Sequence, residues 1–139
     1  MRISKKAALV GTAAAVVLSA AGVALAQTMT TLGRGQTYVW RGQARGEVPL
    51  PGCRLGHYAQ RGGLVLNYAG GDARLMFRTQ SDGDPVMCIV GPSGSFFNDD
   101  TNGLNPQIVI PNPPAGMYIV RVGTYAAGGT VQQTTTISP

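Results

Sequence analysis

The sequence predicts an all-β protein, a single antiparallel β-sandwich of about seven to nine short strands. Three observations lead to this prediction. Beyond residue 26 the chain holds 18 glycines and nine prolines in 113 residues, about twice the usual share. These residues punctuate short runs of β-branched and aromatic residues at a spacing of roughly 8–12 residues. No stretch beyond residue 26 has the period of a long amphipathic helix.

The N-terminal segment, residues 1–26, has the composition of a cleaved signal peptide. Arg2, Lys5 and Lys6 form a basic start, an apolar stretch rich in Ala and Val follows, and Ala24 and Ala26 place small residues where a signal peptidase reads the chain. An uncleaved anchor is the alternative interpretation of the same stretch. Cleavage predicts a chain exported to the periplasm or to the medium.

Charge and hydropathy exclude two classes of function. Cleavage after Ala26 removes three of the 11 basic residues, which leaves eight arginines, no lysine and six acids. The remaining charge is small and forms no basic run, so we expect no nucleic-acid partner. Nothing after Ala26 approaches the ~20 apolar residues of a membrane span, so we expect no transmembrane segment after cleavage.

The first half of the exported chain predicts three strands. Residues 37–40 form the first, within the segment 27–51 that we expect to belong to the sandwich. The segment 42–56 is predicted as a loop. Alternating apolar residues then predict strands over 64–68 and 73–79, separated by the Gly-Gly-Asp turn at 70–72.

The second half predicts four more strands and a hairpin. Residues 86–90 are apolar on both faces, which is typical of a central strand, and the turn at 91–94 leads to Phe96 and Phe97. A polar loop is predicted over 98–106, and strands follow over 108–110 and 117–124, with Tyr118 in the core. The Thr-rich strand at 131–137 is predicted to lie at an exposed sheet edge.

Two cysteines remain after cleavage, Cys53 and Cys88. An even pair in an exported chain predicts one disulfide, which would close a loop of about 35 residues. Two free buried thiols are the alternative. A metal site is disfavoured because two isolated cysteines and one histidine lack paired-ligand spacing.

The order of motifs between residues 52 and 137 resembles the bacterial pre-peptidase C-terminal domain. The motifs are Ser81-Asp82-Gly83-Asp84, Gly91-Pro92-Ser93-Gly94, Pro114-Ala115-Gly116-Met117-Tyr118, Val122-Gly123-Thr124-Tyr125 and a loop that contains Asn98, Asp99, Asp100, Asn102, Gly103, Asn105 and Pro106. The resemblance implies a jelly-roll-like sandwich over 52–139. It also implies a non-catalytic accessory module of exported enzymes, here standing alone.

Two acidic turns are candidate calcium ligands. Asp82 and Asp84 lie in one turn, and Asp99, Asp100 and Asn102 lie in another. Carboxylate and amide oxygens are what calcium prefers, and a sandwich can bring two turns to one end. The alternative is that these residues only shape turns, which Asp, Asn and Gly favour. No other cofactor is expected.

Aromatic residues suggest a binding surface. Phe96 and Phe97 are adjacent, so in a strand they face opposite ways, and one of them, with Tyr125, is a candidate contact for a sugar or a peptide. The alternative is that loops cover both phenylalanines. Arg41, Arg45, Arg54 and Arg61 form at most a mild basic face, useful for contact with anionic envelope polymers.

These observations predict a non-catalytic module that binds an exported protein or an extracellular polymer. The alternative is a structural subunit of a surface layer or fibre, which would self-associate through strand edges such as 131–137. A hydrolase is a remote alternative. Ser93 lies in no recognised nucleophile motif, and His57 is the one histidine available as a base.

Overall fold

The computed structural model describes residues 13–20 and 23–139, with side chains from residue 27 onward. In this part of the chain there are strands and no helix, and the strands form two sheets, so the predicted all-β sandwich is confirmed. The twelve strands are β1 (Ala13–Ala20), β2 (Val23–Leu32), β3 (Tyr38–Arg45), β4 (Val48–Leu50), β5 (Cys53–Tyr58), β6 (Gly63–Tyr68), β7 (Arg74–Ser81), β8 (Pro85–Gly91), β9 (Gly94–Asn98), β10 (Gln107–Pro111), β11 (Gly116–Thr124) and β12 (Thr130–Ser138).

The larger sheet has eight strands and the smaller sheet has four. The larger sheet runs β1-β2-β6-β11-β5-β4, with β8 paired to β11 and β9 paired to β8, and the smaller sheet runs β10-β7-β12-β3. One pair departs from the antiparallel arrangement, because β2 and β6 pair in parallel. Three strands intervene between them, and such a long connection is what a parallel pair requires.

The core lies between the two sheets. Leu64 and Leu66 of β6, Tyr118 of β11 and Leu75 and Phe77 of β7 are fully buried there, as the alternation in their strands predicts. The Tyr118 hydroxyl donates to the Pro114 carbonyl at 2.7 Å, so its polar end is satisfied. No helix of the described residues is long and apolar enough to cross a membrane.

The centre of the larger sheet is β11. It pairs with β8 from Ile119 to Thr124 on one side and with β6 from Gly116 to Val120 on the other. Beyond Val120 the second side is taken over by β5, whose ladder pair with β11 is Thr124 with His57. A Cβ at Gly123 would collide with the His57 carbonyl, so this glycine allows β5 to come close. Between Val120 and Gly123 this edge of β11 has no ladder partner among the described residues.

The segment 42–56 is not a single loop as predicted. It contains the end of β3, all of β4 and the start of β5. The β4 strand is short and carries Pro49, and it crosses from the smaller sheet to the larger one, where it pairs with β5. Pro49 and Pro51 predict a break in the chain, but local patterns carry no information on this crossing.

The predicted edge position of 131–137 is also wrong. β12 lies between β7 and β3, so both of its edges are paired. Its inward residues include Gln133 and Thr135, which are buried but satisfied: the Thr135 hydroxyl donates to Gln133 Oε1 at 2.6 Å and lies 2.6 Å from the Thr79 hydroxyl. Because these polar groups bond one another, a Thr-rich strand can occupy the interior of the sheet.

The predicted disulfide between Cys53 and Cys88 is confirmed, with a sequence separation of 35. It joins β5 to β8 in a second buried cluster that includes Tyr58 and Val86, with Leu50 and Phe97 packed against it.

The predicted signal peptide lies partly outside the described residues, which omit 1–12, 21 and 22. It stays a prediction. Cleavage after Ala26 would remove β1 and the first four residues of β2, and would leave every pair between β2 and β6, since that ladder begins at Gln27.

Loss of the disulfide should destabilise the domain strongly. A cross-link that closes a loop of 35 residues lowers the conformational entropy of the unfolded chain. In the chain-entropy model this stabilises the folded state by about 4 kcal/mol. Reducing agent should therefore lower the free energy of unfolding of the wild type by about that amount, measured by denaturant unfolding. The Cys53→Ala/Cys88→Ala variant serves as the control, since reducing agent should leave its stability unchanged. A wild type indifferent to reduction would contradict this account.

Candidate binding site

The fold brings the two acidic turns to one end of the sandwich. The Ser81 backbone N–H donates to Asn105 Oδ1 at 3.2 Å, which joins the turn after β7 to the loop after β9. Burial raises the pKa of the Asp84 carboxyl, and the nearby charges of Asp100 and Asp99 raise it further. Asp82 is exposed. The structure thus places Asp84 within electrostatic reach of Asp99 and Asp100.

The acidic loop after β9 is held in shape by hydrogen bonds within the loop and to its neighbouring residues. Asn98 Oδ1 accepts from the Thr101 hydroxyl at 2.7 Å and from the Gln107 N–H at 3.2 Å. Asn102 and Asn105 exchange backbone hydrogen bonds of 2.9 and 3.0 Å around Gly103, whose φ of 63° is left-handed. Pro106 is buried and its carbonyl accepts from the Thr79 N–H at 3.1 Å. These contacts are those of turn-forming residues.

Two buried polar atoms near Asp99 have no hydrogen-bond partner among the described residues. They are the Tyr58 hydroxyl and Asp84 Oδ1. Burial raises the pKa of the Tyr58 phenol, and the charge of Asp99 raises it further, so Tyr58 stays neutral. A buried polar group that stays without a partner costs about 1–3 kcal/mol.

Calcium binding at this end stays a prediction. Within residues 13–20 and 23–139, no three or more His, Cys, Asp or Glu side chains are grouped so that they could hold a metal ion.

The predicted aromatic surface is divided by the fold. Phe96 packs against the main core and Phe97 against the disulfide cluster, and both are half-buried. The Arg54 guanidinium lies over the Phe97 ring at 5.8 Å from its centroid, a cation–π contact that covers it. Tyr125 is 52% exposed. The sequence therefore predicts the opposite facing of the two phenylalanines, but not the arginine that shields one of them.

Ser93 and His57, the two candidate residues for hydrolysis, lie in a turn and on a strand. Ser93 lies exposed in the turn between β8 and β9. His57 lies on β5, with Nδ1 at 3.2 Å from the Tyr125 carbonyl. A backbone carbonyl is not the acid that would orient a catalytic base.

A cleft of about 300 Å³ opens where the edge of β11 is unpaired. One wall is β3, with Trp40, and the other is formed by the turn before β6 and by Arg121. Four arginines line it: Arg41, Arg45, Arg61 and Arg121. Arg121 donates to the Gly62 carbonyl at 3.3 Å and so ties the turn to β11.

The cleft is strongly basic. Its lining includes no carboxylate, and among the described residues the ion pair of these arginines is Arg45 with Glu47, at 3.7 Å and largely exposed. A pair of this kind contributes little. Arg41, Arg45 and Arg61 belong, with Arg54, to the mild basic face that the sequence predicts. Arg121 was not predicted to join them, because it lies 60 residues further along the chain than Arg61 and carries no local signal.

Comparison with known proteins finds no matching family model and no matching curated protein. Among solved structures, the crystal structure of Aeromonas hydrophila PliG, a periplasmic lysozyme inhibitor of g-type lysozyme, is similar at 14% identity. The likeness covers 79% of this chain and 96% of that chain, with a TM-score of 0.39. The resemblance to the pre-peptidase C-terminal domain stays a prediction.

Replacement of Asp84 should stabilise the fold at neutral pH. A carboxyl whose pKa is raised by folding favours the folded state below its ordinary pKa, and that contribution is lost as the pH rises through the folded value. We expect Asp84→Asn to raise the melting temperature at about pH 7 and to have little effect at about pH 3, measured with chelator present. Asp82→Asn, at an exposed neighbour, is the control. An equal effect at both pH values would contradict the prediction.

The calcium prediction can be tested by measuring the melting temperature with calcium and with chelator. Since a divalent cation would offset repulsion among Asp84, Asp99 and Asp100, excess calcium should raise the melting temperature of the wild type above its value in chelator. Magnesium at the same concentration controls for ionic strength. An unchanged melting temperature would assign these residues to turns alone.

Proposed function

We propose that this protein is an exported, non-catalytic β-sandwich module that binds a protein or polymer partner in the periplasm or outside the cell. The observation that carries the proposal is the arginine-lined cleft. Its four arginines present many fixed hydrogen-bond donors beside the Trp40 indole, a combination suited to holding a partner.

The chemistry of the cleft supports binding rather than catalysis. Its lining includes no carboxylate, histidine, serine or cysteine, the groups that usually act as base or nucleophile. Arginine stays protonated at any working pH, so it holds an anion but does not shuttle protons.

Two features support export. Residues 1–26 have the composition of a signal peptide, and the Cys53–Cys88 disulfide is a bond that persists in oxidising compartments. The disulfide lies in the cluster that includes Tyr58, and Tyr58 also lines the cleft.

The proposal predicts that a charge reversal in the cleft abolishes partner capture. The tagged wild-type chain, in its exported form, is incubated with periplasmic and culture-medium fractions of the bacterium that encodes it, and retained protein and polymer are quantified. Arg61→Glu should lose the retained partner because Arg61 is exposed and lines the cleft.

The matched control is Arg74→Glu, an equally exposed arginine on β7 outside the cleft lining. It should retain the partner, and both variants should melt at the temperature of the wild type. Loss of the partner in both variants, or in neither, would show that the cleft is not the contact.

A further inference from the structure

We propose that the free edge of β3 accepts an extended acidic segment of a partner protein as an added strand, with carboxylates of that segment bound by Arg41 and Arg45. This inference rests on the proposed binding function and deepens it, since it names the class of partner and the way in which it docks.

The first observation is the edge itself. β3 is the last strand of the smaller sheet and pairs with β12 alone among the described strands. It is eight residues long, whereas the opposite edge strand, β10, has five and ends in Pro111, which has no N–H to donate. β3 therefore offers the longer row of unpaired backbone donors and acceptors in this sheet. Such an edge can take another chain as a strand.

The second observation is the alternation along β3. Trp40 faces inward, is half-buried and packs against the core, whereas Arg41, Gln43 and Arg45 are exposed. The inward residues anchor the strand, and the outward ones present a charge, an amide and a second charge at every other position. A strand with this pattern has a defined register for an incoming chain.

The third observation is the spacing of the charges. Arg41 and Arg45 are four residues apart on one face of a strand, which corresponds to about 13 Å. A small anion would have to draw both side chains together, whereas an extended peptide has residues four apart at the same spacing. Acidic residues four apart on one face of an added strand would therefore each meet one arginine, across the closest inter-strand pairs.

The fourth observation is the charge around the edge. Arg61 and Arg121 line the far wall of the cleft that β3 borders, so an added strand would have positive charge on both sides. Charged side chains on an edge strand usually keep other chains away. Here four arginines line the cleft beside the edge, and the carboxylates nearby are Glu47, paired with Arg45, and Asp82, so the excess positive charge disfavours basic segments and favours acidic ones.

The test uses the exported full chain and a fluorescent peptide of about ten residues in which Glu and Thr alternate. Anisotropy should report saturable binding that weakens with salt. The Arg41→Ala/Arg45→Ala variant should bind at least roughly tenfold more weakly, the equivalent of one charge-assisted hydrogen bond lost.

The matched control is Arg74→Ala/Arg78→Ala, which removes two exposed arginines at the same spacing from β7. β7 is paired on both sides, by β10 and β12, so it has no free edge. Removing the two arginines from β7 should therefore leave peptide binding nearly unchanged. An equal loss in both variants would indicate general electrostatic attraction and would overturn the proposal.

Two further probes separate strand addition from simple ion pairing. Versions of the peptide with N-methylated backbone at odd or at even positions keep the charge but remove donors, and one of the two should bind at least roughly tenfold more weakly. If neither does, the edge is not used. Alginate, a carboxylate polysaccharide, should compete only weakly, and full displacement by it would assign the site to an acidic polymer.

Failure of this inference is distinguishable from failure of the proposed function. If the peptide does not bind but Arg61→Glu still loses the natural partner from the exported fractions, the cleft is a binding site for another class of ligand. If Arg61→Glu retains that partner as the wild type does, the binding function assigned to the cleft is itself wrong.

Discussion

The pairing of β11 is the constraint on which the rest of the structure depends. This strand holds β8 along one side and β6 along the first part of the other, and its inward residues Tyr118 and Val120 supply the middle of the core. β6 pairs with the first part of that edge and β5 with its end, so Arg121 and Val122 have no ladder partner on this side among the described residues, which leaves an opening. The arginine-lined cleft occupies that opening, with Arg121 of β11 as part of its wall.

Acidic and basic side chains lie at different places on the sandwich. The carboxyls of Asp84, Asp99 and Asp100 gather at one end of the sandwich, where Asp84 is held against its preference for water. Four of the arginines lie around β3 and the cleft, where ion pairing is sparse among the described residues. The residues beyond position 26 carry a small net charge but still present a basic surface at this cleft, so local field rather than net charge decides what the cleft attracts.

Much of the fold was predictable because the signals are local. Alternation in β6, β7 and β11 follows directly from side-chain period, and the Gly-Pro turn before β9 from backbone chemistry. The wrong predictions share one cause. A Thr-rich strand is typical of an edge by composition, but in β12 the hydroxyl of Thr135 is satisfied by Thr79 and Gln133, which come from the neighbouring strand and from the same face. The Thr79 hydroxyl belongs to β7, so this partner is not visible in the residues of β12.

The sequence by itself determined the all-β class, the buried Tyr118, the cysteine pair and the acidic composition of two turns, because each depends on residue type and short spacing. Only the tertiary structure decided which strands lie at edges, that Phe97 is shielded by Arg54, and that Arg41, Arg45, Arg61 and Arg121 border one cleft. These are consequences of strand order. Strand order follows from the summed burial of many residues distant in the chain, so no single segment encodes it.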